Sequence, residues 1–171
     1  FMAAKKLLRL VSGIVTEIVG TVTSAGAGNA GDIPALDTSG KLDVSLLPTG
    51  VGPDVKLILA SEAIGAGKYV NIYNNAGTAN IRLADNSNSR MAHGFLKDAV
   101  ASAAMGTVYF ESANDDLSAL TPGARQYLAT AGGVTETPPT LVGGAQISQL
   151  VGVAISTTEI NTDIEDEIVL A

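Results

Sequence analysis

The apolar positions of this chain fall into one dense run near the start and a series of short runs after it. In the first, Leu7, Leu8, Leu10, Val11, Ile14, Val15, Ile18, Val19 and Val22 are interrupted by Ser12, Gly13, Thr16, Glu17 and Gly20. Leu8, Val11, Val15, Ile18 and Val22 step by three and four, as a helical seam does. Leu8, Leu10, Ile14, Ile18 and Val22 share one parity, as a strand face does. Glycine costs about 1 kcal/mol inside a helix, and Val, Ile and Thr favour strands. The propensities therefore lean to extended structure, with a helix as the alternative. In either form the segment is too short to fold alone and needs a partner surface, another copy or another protein.

Residues 24–54 change texture. Ser24 to Gly31 is a loop of small residues. Its Gly26, Gly28 and Gly31 match the spacing G-x-G-x-x-G, but Pro34 follows and no helical pattern does, so a dinucleotide site is not expected. From Ile33 to Pro48, Leu36-Asp37 and Leu42-Asp43 flank a turn at Thr38-Ser39-Gly40, and Pro48, Gly50, Gly52 and Pro53 break any continuing element. The expected organisation is an apolar N-terminal arm over 1–24, an extended linker over 25–54 and a β domain over 55–171. Within the last, short strands are predicted at 56–60, 69–74, 79–84, 92–96, 107–110, 126–129, 149–155 and 167–170. Turn residues separate them, and strands every 8–12 residues indicate a sandwich or barrel. Residues 98–105 are Ala-rich and read as a helical turn or the approach to a strand. The fold class is all-β, a small β-barrel or β-sandwich head with an extended N-terminal arm.

Composition narrows function mainly by exclusion. The chain has 171 residues and a net charge of −7. It has no cysteine, which removes disulfides, thiolate metal sites and cysteine nucleophiles. Its single histidine, His93, excludes mechanisms that need two imidazoles. Acidity without a basic run argues against nucleic acid, whose binding rests on phosphate neutralisation. Residues 1–56 hold five basic and five acidic side chains and residues 57–171 five and twelve, so the whole excess sits in the β domain. Met2 reads as the initiator. The basic start, apolar middle and Ala25-Gly26-Ala27 imitate a secretory signal, but Glu17, Ser12, Gly13 and Gly20 interrupt the middle. The same interruptions leave too few apolar residues for a membrane span.

Candidate chemistry is thin. His93 has no nucleophile motif beside it and reads as a packed residue. Asp163, Glu165, Asp166 and Glu167 lack the spacing of a calcium loop and read as a solvated acidic turn, as do Asp115 and Asp116. The absence of Trp leaves a sugar-stacking platform weak. Asn71, Asn74, Asn75, Asn80, Asn86 and Asn88 suit turns. No catalytic residue, cofactor or metal is expected, and no enzyme activity.

Several stretches carry a resemblance: the apolar arm, residues 30–48 (AGDIPALDTSGKLDVSLLP) and residues 60–73 (ASEAIGAGKYVNIY). With them go 92–95 (AHGF), 106–111 (GTVYFE), 120–128 (LTPGARQYL) and 151–154 (VGVA). Over nearly its full length the chain resembles tailed-bacteriophage virion proteins of the capsid decoration (cement) and head-fibre kind, modules related to which occur in tail fibres. The resemblance implies a β head with an N-terminal arm, assembled as a homo-oligomer, often a trimer, and seated on the outer lattice of the major capsid protein. It implies a role in binding and bridging capsid subunits, the alternative being a head- or tail-fibre adhesin that binds a receptor. The expected interface residues are Lys5, Lys6, Leu7, Leu8, Arg9, Leu10, Val11, Ile14, Val15, Ile18, Val19, Val22, Ile33, Leu36, Leu42, Leu46 and Leu47. The apolar members must supply most of the affinity, since exposed ion pairs contribute about 0–1 kcal/mol each.

Overall fold

The computed structural model describes residues 6–47, 52, 54–141, 144 and 146–171. The chain forms two compact units, Phe1–Gly52 and Pro53–Ala171. All extended elements are strands, and the helical ones are single 3-10 turns of three residues.

In the first unit, β1 (Lys6–Val11) and β2 (Ile14–Val19) pair antiparallel from Lys6↔Val19 to Val11↔Ile14. The extended reading of this run holds, and its reversal is a two-residue turn. Ser12 and Gly13 both have positive φ, 50° and 84°. That turn matches the right-handed twist of the strands it joins. Of the linker expected over 25–54, the structure describes residues 25–47, 52 and 54. From Val22 onward the chain folds back on the hairpin's end, where Thr21 N–H donates to Ile33 O and Ala35 N–H to Thr21 O, each at 2.9 Å. Gly20 permits this, since a Cβ there would lie 2.7 Å from the Ala35 side chain. The Asp32 carboxylate accepts from Thr21 Oγ1 (2.8 Å) and Asn29 Nδ2 (2.9 Å), and these donors hold it below the usual carboxylate range. Ser24 N–H donates to Ser45 Oγ at 2.8 Å. The turn expected at 38–40 is present, closed by Asp37 Oδ1 accepting from Ser39 and Lys41 N–H.

The second unit, here the head, begins with β3 (Val55–Ala60), β4 (Tyr69–Asn75), β5 (Thr78–Leu83), β6 (Gly94–Leu96) and β7 (Met105–Tyr109). These close into a barrel in the order β3-β5-β4-β6-β7. The pairing of β3 with β5 is parallel, and the other four are antiparallel. Alternation along the strands sends Ile58, Ala60, Val70, Ile81, Leu96 and Val108 inward, all buried. Residues 98–105 contain no helix; Ser102 and Ala103 form a tight turn into β7, closed by Ala104 N–H donating to Ala101 O at 3.2 Å.

The rest of the head is β8 (Ser112–Asn114), β9 (Arg125–Leu128), β10 (Val134–Thr135), β11 (Ile147–Ser148), β12 (Leu150–Ala154), β13 (Ile160–Thr162) and β14 (Ile168–Val169). Five of them form an antiparallel sheet in the order β10-β9-β12-β13-β8, while β11 pairs with β14. Between Leu150 and Gly152 the β12–β9 register shifts; Gly152 has φ 147° and its Cα faces the Asn161 carbonyl so closely that no side chain fits. A second core joins barrel to sheet. Tyr69, Phe95 and Leu128 meet Ile147 and Val151 there, with Phe95 between the rings of Tyr69 (6.0 Å) and Tyr109 (5.6 Å). Burial pushes the Tyr69 phenol up, and its hydroxyl lies 3.2 Å from Thr162 Oγ1.

Candidate docking surface

The hairpin β1–β2 has two faces. Lys6, Leu8, Leu10, Val15, Glu17 and Val19 lie on one, and Leu7, Arg9, Val11, Ile14, Thr16 and Ile18 on the other, by register and alternation. Each face carries four apolar side chains, most of them exposed. Leu8 is 74% exposed, Leu10 67%, Ile14 69% and Val15 65%; of the eight, only Ile18 falls to half-buried. Monomers seldom expose contiguous apolar patches, and a two-stranded hairpin on its own is marginal in water. Covering Leu8, Leu10, Val15 and Val19 alone would contribute roughly 4–8 kcal/mol, at 1.5–3 kcal/mol per side chain scaled to what they still expose.

The expected interface residues fall into three groups. The hairpin members from Lys6 to Val19 come together as the two faces. Val22, Ile33, Leu36 and Leu42 are exposed on the segment that folds back, and Leu46 and Leu47 are half-buried. Lys5 lies outside the described residues. Lys6 pairs with Glu17 on its own hairpin at 2.6 Å, with both side chains about half exposed. Arg9 reaches Gly31 O at 3.5 Å.

The head has a site of another kind. A groove of about 620 Å³ opens between Met91–His93, Phe110–Ser112 and Asn161–Glu167. It gathers Glu111, Asp163, Glu165, Asp166 and Glu167 beside His93, residues far apart in sequence. No group of three or more such side chains among the described residues is placed to hold a metal. Asp115 lies elsewhere, 3.6 Å from Lys97. Gln149 supports the groove's wall: its Oε1 accepts from Ala92 N–H (2.7 Å) and its Nε2 donates to the Ala92 and Glu165 carbonyls. His93 Nδ1 accepts the Ile72 N–H at 3.0 Å. Burial lowers the His93 pKa from its ordinary value, against an opposing pull from Glu167.

Sequence reading assigned none of the exposed apolar residues of the head to a surface. Leu57 and Met105 stand bare on neighbouring strands β3 and β7, and Ile168 and Val169 on β14. The signal available was alternation: in 55–60 and 105–109 both parities carry apolar residues, so one set had to face out.

No family model matches the chain, and no curated protein matches it. Among solved structures, the head fibre gp8.5 N base of bacteriophage phi29 is similar, at 12% identity and a TM-score of 0.44, over 68% of this chain and 92% of that one. The neighbour is a phage head-fibre protein, of the kind the sequence resembles.

Proposed function

We propose that the chain is a structural protein of a tailed-bacteriophage virion, a capsid decoration protein on the outer shell. In this reading the unit holding residues 6–47 docks on the major capsid protein and on neighbouring copies of the chain, as a homotrimer, and the acidic head faces solvent. The observation that carries it is the hairpin β1–β2, whose two faces leave seven of their eight apolar side chains exposed. The resemblance of the arm and of residues 30–48 to capsid decoration and head-fibre proteins supplies the shell as the surface that covers it.

The mechanism is mechanical. A protein that binds only the assembled shell stabilises it by mass action. An oligomer repeats one modest contact at each copy, so linkage raises the effective concentration of the remaining contacts. No reaction, cofactor, nucleic acid or membrane enters this reading.

Deleting residues 2–24 removes the hairpin and leaves every strand of the head in place. Capsids assembled with the truncated chain should carry it at background level, while its head melts as in the full chain. Normal occupancy would overturn the proposal. Copy number separates the adhesin alternative: a ratio to the major capsid protein near stoichiometric fits decoration, and a few copies per particle fit a fibre that binds a receptor.

A further inference from the structure

The barrel has a seam between β4 and β6. Strand β5 pairs with β4 from Val70 to Asn75, but β6 covers its other side only at Tyr69 and Val70. Beyond that point a side chain continues the bonding. His93 N–H donates to Val70 O (2.8 Å), and His93 Nδ1 accepts from Ile72 N–H (3.0 Å). An imidazole whose Nδ1 accepts carries its proton on Nε2.

The neighbours leave Nδ1 no other role. The Asn71 amide nitrogen lies 3.4 Å from it and donates to Met91 O at 2.9 Å. The Asn71 carbonyl oxygen accepts from Arg82 Nε at 3.0 Å, and the Arg82 guanidinium is itself seated 4.3 Å over the Tyr73 ring. Turning the amide to offer His93 an acceptor would bring its NH2 against Arg82 and its oxygen against Met91 O. From β4, therefore, the ring meets N–H groups, with the Arg82 guanidinium of β5 held behind Asn71. From the groove it meets Glu111 after β7 and Asp163, Glu165, Asp166 and Glu167 between β13 and β14. No carboxylate forms an ion pair with it among the described residues.

We infer that His93 is a pH-sensitive latch: neutral, it closes the β4–β6 seam; protonated, it must leave Ile72 and turn toward the carboxylates of the groove. Imidazolium has two N–H donors and no acceptor. A second proton therefore sets donor against donor at Ile72, frees that strand's N–H and alters the groove wall. The lowered His93 pKa, with burial as its largest cause, has the sign this geometry requires. The latch does not depend on the virion reading, and its test needs no capsid.

Because His93 is the only histidine, NMR of the full chain reads it without ambiguity. At neutral pH the ring nitrogens should show the Nε2–H form, and the ring should titrate below the ordinary value of 6.5. Ile72 amide exchange, corrected for the intrinsic pH effect, should rise roughly fivefold through the same midpoint, the scale of one lost hydrogen bond. Glu167→Gln should move the midpoint further down. His93→Gln supplies an acceptor that does not titrate, and Ile72 should then stay protected across the range. The inference fails on an Nδ1–H ring at neutral pH, on an Ile72 amide indifferent to the titration, or on unchanged pH dependence in His93→Gln. Should His93→Gln fail to fold, the tautomer and the Glu167→Gln shift decide alone.

Discussion

The hairpins β1–β2 and β4–β5 each hold six cross-strand pairs, and each reverses through two residues with positive φ, Ser12-Gly13 in one and Ala76-Gly77 in the other. Their surroundings are opposite. Val70 and Ile81 of the second hairpin are fully buried in the barrel, and Tyr69 is buried on the reverse face of the same strand. Leu10 and Ile14 of the first are about two-thirds exposed. Local chemistry makes a hairpin in both cases. Only the second has been given a further layer, which is what turns β structure into stability. The first keeps its apolar side chains exposed on both faces.

Substitutions at equivalent positions sharpen this contrast. The largest effect should come from Ile81→Ala, which empties a sealed site and should lower head stability by about 2–5 kcal/mol in denaturant melts. A loss under about 1 kcal/mol would show the barrel interior to be looser than its burial indicates.

An intermediate effect belongs to Asp85, in the loop that follows β5. Its carboxylate accepts from Ser87 N–H (2.9 Å), Ser87 Oγ (2.6 Å) and Ala131 N–H (3.1 Å). Burial alone would raise its pKa, but those donors and Arg90 outweigh burial and hold it below 3.8. A depressed carboxylate stabilises the native state above its unfolded value and loses that contribution as pH falls through the folded one. Acid melts should therefore show head stability declining below pH 3.8, and Asp85→Asn, which sets an NH2 against the Ala131 N–H, should flatten that decline while lowering stability at neutral pH by about 1 kcal/mol. An identical acid profile in the variant would remove Asp85 from the account.

The smallest folding effect should come from the bare hairpin. Leu10→Ser and Ile14→Ser should leave the head's stability within about 0.5 kcal/mol, yet reduce occupancy on assembled capsids. Full occupancy in both variants would detach the hairpin from docking.

Much of the barrel was legible because its strands alternate and are separated by strong turn residues. Asn74 to Gly77 announces its own hairpin, with Asn74 Oδ1 accepting the Gly77 N–H at 2.7 Å. Ser12-Gly13 carries the same signal between two apolar runs, but the runs are apolar on both parities, so neither period stands out. Strands β8, β10 and β13 were missed because Ser112-Ala113-Asn114, Val134-Thr135 and Ile160-Asn161-Thr162 are short and mostly polar, and exist through the neighbours they pair with. The parallel β3–β5 pairing that closes the barrel, and the groove that joins His93 to residues 163–167, are contacts across long stretches of chain. No window of sequence displays them.

Strand β4 belongs to two cores of the head, the barrel's own and the one that joins barrel to sheet. Val70 points into the barrel, while Tyr69, one residue away, packs against the sheet and bonds across to Thr162. A strand shared in this way couples the fates of the two layers. Heating should therefore melt barrel and sheet in one cooperative step, without a surviving half to expose raw strand edges. A head that fails all at once leaves no half-folded fragment with apolar surface bared to its neighbours.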